Sequence, residues 1–142
     1  MKHVFLSMFV LLAFCSSSIT AQETKHSTTK TTGMKEFILL VRVPADYSTE
    51  QAKAAGPKWD VVTNKWKADG IWVSSFVFPG NSFVLSGSDR QLKNEYVLAN
   101  NLKVVSTIIL KAESFDNAVE LAKACPVLDL GGSIEVREVP PR

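Results

Sequence analysis

The sequence predicts an α+β domain of ferredoxin-like type, in which a split βαβ sheet carries two helices on one face. Three observations lead to this prediction. Five apolar stretches have the composition of strands, and two amphipathic stretches follow capping residues. Their order is strand, helix, strand pair, strand, helix, strand, which is that of two split βαβ units. The five strand-like stretches are EFILLVRV, IWVSSFVF, FVLSG, VVSTIILKA and SIEVREV.

The first strand and helix are predicted from local patterns. Residues Glu36–Val43 are apolar on both faces, as in an interior strand. The sequence STEQ forms a capping box from Ser48 to Gln51 that begins a helix. Because proline does not suit a helix interior, we expect either a kink or a fresh helix that starts at Pro57 and runs to Asp69. The inner face of this helix is predicted to carry Trp59, Val62 and Trp66.

The middle of the chain is predicted to hold a strand pair. Residues Ile71–Phe78 alternate as a strand, PGNS forms a turn, and Phe83–Gly87 returns as the hairpin partner. Residues Ser88–Lys103 are polar and receive no assignment. The next interior strand is predicted over Val104–Ala112 because the segment is rich in β-branched residues.

The last helix and strand complete the pattern. Ser114 is predicted to cap the second helix, and SIEVREV, with its alternating Ile134 and Val136, to be a strand with one face in water. The inner stripe of the helix is predicted to consist of Phe115, Ala118, Val119, Ala122 and Cys125.

The N-terminal segment predicts export. Lys2 and His3 precede an apolar run, and small and polar residues then lead to Ala21. This is the order of a cleaved signal peptide over residues 1–21, and the apolar run is too short for a membrane anchor. The mature chain is therefore expected to be periplasmic or secreted, with no transmembrane span. A less favoured alternative is a lipoprotein anchored at Cys15. Residues 22–33 are predicted to be a disordered polar linker, and residues 34–142 the folded domain.

Charge and cysteine content exclude several classes of protein. The net charge of +2 and the absence of basic blocks with interleaved aromatics argue against nucleic-acid binding.

After cleavage Cys125 would be the only cysteine, so no intramolecular disulfide is predicted. Cys125 ends a helix stripe, where the helix dipole disfavours a thiolate, and Pro126 stops the helix. We therefore predict that Cys125 is a buried structural residue, and that Gly131 and Gly132 form a corner before the last strand.

A family resemblance extends over most of the predicted domain. The stretch ESFDNAVELAKACPVLDLGGSIEVREV is similar to the C-terminal signature of the YCII-related family. The stretches MKEFILLVRV, KADG and FVLSGSDRQLK look like the longer branch of this family, which carries an Asp-Gly-Pro-Phe motif. The resemblance covers residues 34–139. It implies a dimeric α+β barrel, in which two ferredoxin-like units pack sheet to sheet with a cleft in each. The apolar residues Ile38 and Leu40 independently predict that a second copy covers the free sheet face.

The functional motifs of the resembled family are altered in this chain. After Lys93, where the family carries Asp-Gly-Pro-Phe or Tyr, the sequence is Asn-Glu-Tyr-Val. The position of a histidine that many shorter members place in the first helix is Trp59, and the only histidine left after cleavage is His26. The resemblance therefore implies that the usual acid–base candidate is missing.

Two functions remain open from the sequence. The first is an exported homodimer that binds a small ligand or acts as an accessory module, without acid–base catalysis, metal or cofactor. The second is a lyase- or isomerase-type enzyme of the dimeric α+β barrel class that uses Asp60 or Glu95, with a raised pKa, in an apolar cleft. The residues predicted to line a ligand cleft are Trp59, Trp66, Trp72 and Tyr96.

Overall fold

The computed structural model of the protein describes residues 33–141. The predicted signal peptide over 1–21, the lipidation alternative at Cys15 and all but the last residue of the predicted linker over 22–33 lie outside the described residues. The described part contains no helix that is long and apolar enough to cross a membrane.

The main sheet is antiparallel throughout and has the ferredoxin-like strand order. Its four long strands lie in the order β2, β6, β1, β7, and the short β5 pairs with β6. The chain order of strands and helices is β1 (Lys35–Pro44), α1 (Thr49–Ala68), β2 (Trp72–Val77), β3 (Phe83–Ser86), β4 (Gln91–Asn94), β5 (Leu98–Ala99), β6 (Leu102–Ala112), α2 (Phe115–Ala122) and β7 (Ser133–Glu138). The predicted mixed α+β fold with an antiparallel sheet and two helices is confirmed.

Both helices begin where the capping residues predict. The Ser48 side chain accepts a hydrogen bond from the Gln51 amide, and the Gln51 side chain accepts one from the Ser48 amide. Ser114 caps α2 in the same way by accepting from the Asn117 amide. Of the two alternatives at Pro57, a fresh helix is wrong, because Pro57 lies inside one continuous helix. Packing of this helix on the sheet outweighs the one backbone hydrogen bond that proline removes.

The helices pack on one face of the sheet, which we call the helix-covered face. Every second residue of β1 from Phe37 to Val43 is buried there, and α1 and α2 supply the facing side chains. This alternation follows from the two-residue period of a strand. The buried core consists of Phe37, Leu39, Val41, Val43, Trp66, Ile108, Leu110, Ala112, Ala118, Ala122, Cys125 and Val127.

The opposite side of the sheet, the open face, has no helix over it in the described chain. Ile38 and Leu40 of β1 point to this side, beside Ile109 and Thr107 of β6. Phe76 of β2 lies next to Thr107 and is 58% exposed. The open face therefore combines half-buried aliphatic side chains with an exposed aromatic ring.

The predicted hairpin between the second and third strands is wrong. β3 pairs with β4 instead of β2, and the two form a separate two-stranded sheet. The turn between them contains Gly87 with φ of 75° and Arg90 with φ of 53°. The chain after β2 stays bonded to β6, since the Phe78 amide donates to the Val105 carbonyl at 2.8 Å. The turn residues in GSDR close β3 on β4 locally, which costs little loop entropy.

The Gly-Gly sequence before β7 is a tight corner, as predicted. Gly131 ends a 3-10 helix over Pro126–Leu130 with φ of 75°, a conformation that favours glycine. Gly132 has no room for a side chain, because a Cβ atom would overlap the Arg42 carbonyl oxygen and a Val127 methyl group. The corner holds the start of β7 directly against β1.

Candidate ligand-binding site

A cavity of about 620 Å³ lies between α1 and the helix-covered face. This volume falls within the range of small-molecule sites, about 300–1,000 Å³. The residues that line it are Val41, Val43, Tyr47, Ser48, Thr49, Ala52, Trp59, Thr63, Trp72, Ser75, Val77, Phe78, Pro79, Gly80, Tyr96, Lys103, Val105, Ser106, Ile108 and Val127.

The cavity occurs where short side chains face each other. Ala52 and Thr63 of α1 line it from the helix side, and Ser75 and Ser106 line it from neighbouring strands of the sheet. Elsewhere between the same helix and sheet, large side chains such as Trp66 fill the space. Native interiors are otherwise packed without voids of this size. The cavity is therefore a consequence of side-chain size along α1, β2 and β6.

Three of the four predicted cleft aromatics line the cavity. Trp59 comes from α1, Trp72 from β2 and Tyr96 from the segment before β5. Trp66 does not line the cavity: its side chain is 2% exposed in the core and stacks on Trp72, with ring centroids 6.3 Å apart. Trp66 and Trp59 share one face of α1, but Trp66 lies at the end that packs closely on β2.

Two phenol groups add polar character to the cavity. The Tyr96 hydroxyl donates to the Gly80 carbonyl, which ties the segment before β5 to the segment after β2. Burial raises the pKa of the Tyr47 hydroxyl above its ordinary value of 10.0, so Tyr47 is a neutral group at physiological pH. Both can interact with a ligand without adding charge.

Lys103 is a cavity-lining residue that the sequence reasoning missed. Its Nζ atom donates to the Ala45 carbonyl at 2.9 Å and lies 5.0 Å from the centroid of the Tyr96 ring. The residue is the second of β6 and pairs with Val43 across the sheet, so it lies on the helix-covered side. A lysine directly before a β-branched strand was the available signal. Lys103 fell within the unassigned polar segment because the next strand was predicted to begin at Val104.

The two predicted catalytic carboxylates lie away from the cavity. Asp60 and Glu95 are both exposed, and neither is among the cavity-lining residues. Asp60 is on α1 next to Trp59, but successive helix positions point about 100° apart, so the carboxylate faces solvent. The condition for the carboxylate mechanism, burial in an apolar cleft, is not met by either residue.

The described residues contain no group of three or more His, Cys, Asp or Glu side chains that could hold a metal ion. Cys125 is 2% exposed, and burial raises the pKa of its thiol from 9.0 to about 12. This agrees with the prediction of a buried structural residue, since a thiol with such a pKa is not a nucleophile at neutral pH. Cys125 follows α2, which ends at Ala122, so it is placed by the turn before Pro126.

Comparison with known proteins adds no assignment to this site: no family model matches the chain, and no curated protein matches it.

Proposed function

We propose that this protein is an exported, homodimeric module that binds a small ligand in the aromatic cavity and performs no acid–base catalysis of its own. The observation that carries the proposal is the cavity of about 620 Å³ lined by Trp59, Trp72 and Tyr96. Aromatic rings offer large apolar contact areas with little loss of side-chain freedom, which suits them to binding. Export rests on the signal-like sequence of residues 1–21.

The homodimer is supported by the open face of the sheet. Ile38, Leu40, Ile109 and Phe76 give this face an apolar surface that a monomer would leave in water. A second copy that packs face to face would bury it, and this is the arrangement implied by the resemblance to the YCII-related family. The cavity lies on the other side of the sheet, so a dimer of this kind would leave both cavities accessible.

The experiment that tests ligand binding fills the cavity. Thr63→Phe places a ring in the space between α1 and the sheet, and Val61→Phe is the matched control on the same helix, since Val61 is 71% exposed and outside the cavity. The probe is 2-naphthamide, a neutral bicyclic amide, and binding is measured by isothermal titration calorimetry.

We expect Thr63→Phe to weaken binding of the probe at least tenfold and Val61→Phe to leave it unchanged. A loss of affinity of this size corresponds to about 1.4 kcal/mol, which is modest for a contact that is sterically blocked. Equal affinity in both variants, with both folded by circular dichroism, would exclude the cavity as the binding site.

A further inference from the structure

The cavity contains a single charged side chain. Among its lining residues Lys103 is the only Lys, Arg, His, Asp or Glu, and the others are apolar residues, hydroxyl-bearing residues, glycine, proline and two tryptophans. The charge of the site is therefore +1. An apolar pocket with one fixed charge favours a ligand of the opposite charge, since a neutral or like-charged ligand leaves a desolvated charge without a partner.

Lys103 has hydrogen-bonding capacity to spare. Of the three N–H groups on its ammonium, one donates to the Ala45 carbonyl at 2.9 Å. None of the ion pairs within residues 33–141 involves Lys103. The residue is half-buried and its aromatic neighbour Tyr96 supplies only the weaker attraction of a ring face. A partly desolvated ammonium without a carboxylate partner is stabilised when a ligand brings one.

We propose that the cavity binds a small organic monoanion, an apolar ring-bearing body with one carboxylate or similar group, and that Lys103 pairs with the negative group. This inference rests on the proposed ligand-binding function and names the class of ligand. The Ala45 hydrogen bond and the Tyr96 ring hold the ammonium at one place, so the anionic group sits beside β6. The ring-bearing body then lies against Trp59 and Trp72.

The rest of the lining fits one negative charge and no more. Thr63, Ser75 and Ser106 are neutral groups that can hydrogen-bond a ligand but cannot balance a second charge. A dianion would leave one charge unpaired in an apolar site, which is costly. A cation would be repelled by Lys103 and would meet no carboxylate among the lining residues.

The test compares two probes that differ in charge. The monoanion 2-naphthoate and the neutral 2-naphthamide have the same ring system and nearly the same size. On the unchanged protein we expect 2-naphthoate to bind about tenfold more tightly, because a charge-assisted hydrogen bond is roughly twice as strong as a neutral one. Calorimetry at fixed pH and salt gives both dissociation constants.

Substitution of the lysine locates the charge effect. Lys103→Met removes the ammonium and keeps the chain length, and Lys67→Met is the matched control. Lys67 also lies over an aromatic ring, with Nζ 5.4 Å from the centroid of Trp72, but it does not line the cavity. We expect Lys103→Met to abolish the preference for 2-naphthoate and Lys67→Met to retain it.

The outcomes separate this inference from the proposed function. Equal binding of the two probes to the unchanged protein, or a preference that survives Lys103→Met, would overturn the anion inference while the ligand-binding function stands. Failure of both probes to bind would overturn both. If Lys103→Met does not fold, the comparison of the two probes on the unchanged protein still decides the sign of the preferred charge.

Discussion

The two faces of the main sheet are built by the same strands but have opposite surroundings. On the helix-covered face Leu39 of β1 is 0% exposed, packed beside its cross-strand neighbours Ile108 and Val136. On the open face the next residue, Leu40, is half-buried beside Thr107 and Glu135. The comparison shows that an apolar sequence such as that of β1 predicts only that both faces of the strand are apolar. What covers each face is decided by the rest of the chain and by its partners.

The largest expected effect comes from a charge on the helix-covered face. Leu39→Lys would bury an ammonium among apolar side chains with no partner, at a cost of several kcal/mol. Total stabilities of single domains are about 5–15 kcal/mol. We therefore expect the variant to be unfolded or insoluble, with loss of the far-ultraviolet circular dichroism of the folded protein.

The same substitution one residue later is the matched control. Leu40→Lys places the charge on the open face, where a monomer can solvate it, so we expect the secondary structure to persist. If the proposed dimer forms through this face, the variant should give monomer or aggregate in size-exclusion chromatography with light scattering. A folded, soluble monomer of the unchanged protein at micromolar concentration would refute the face-to-face dimer.

Local patterns in the sequence were sufficient for much of the fold. Capping at Ser48 and Ser114, and the strand alternation of β1 and β7, depend on residues within a few positions of each other. The pairing of β3 was not predictable in the same way. Two turn signals, PGNS and GSDR, flank the same strand, and the structure pairs that strand with β4 across GSDR while β2 remains the edge strand of the main sheet.

The site was predicted only in part for a related reason. The helical period predicts that Trp59 and Trp66 share one face of α1. It does not reveal that Trp59 borders the cavity while Trp66 is buried in the core. That difference depends on short side chains such as Ser106 from a strand distant in sequence. Lys103 was missed because its inward direction is set by pairing with Val43.

A smaller effect is expected from the buried thiol on the helix-covered side. Cys125→Ala should lower the free energy of unfolding by about 1 kcal/mol through lost contacts. Cys125→Ser should lower it by about 1–3 kcal/mol, because a hydroxyl would be buried in an apolar site. Denaturant unfolding at pH 7 measures both. In the native protein, thiol reagents should label Cys125 only on unfolding, as located by peptide mass spectrometry.

The pH dependence of this residue has a defined sign. The folded pKa of Cys125 is raised from 9.0 to about 12, so its stabilising contribution is complete below pH 9 and is lost as pH rises toward 12. The unchanged protein should therefore lose stability relative to Cys125→Ala over this interval. Rapid labelling of the native thiol at neutral pH would contradict its assignment as a structural residue.

The smallest expected effect concerns the charged edge of the open face. Arg42 and Arg137 both form ion pairs with Glu135, and hydrogen bonds from Arg137 and then Arg42 hold the pKa of the Glu135 carboxyl below its ordinary value of 4.5. A lowered folded pKa means that the carboxylate stabilises the protein above pH 4.5 and that this contribution is lost as the pH falls through the folded value. Because these charges lie near solvent, the contribution is small and sensitive to salt.

Urea midpoints should show Glu135→Gln less stable than the unchanged protein at pH 7, with the difference shrinking toward pH 3. Glu36→Gln is the control, since Glu36 lies on β1, the strand that pairs with β7, and takes part in none of the ion pairs of residues 33–141. A difference for Glu135→Gln that stays constant between the two pH values would show that packing of the side chain, and not its charge, is what the open face requires at this position.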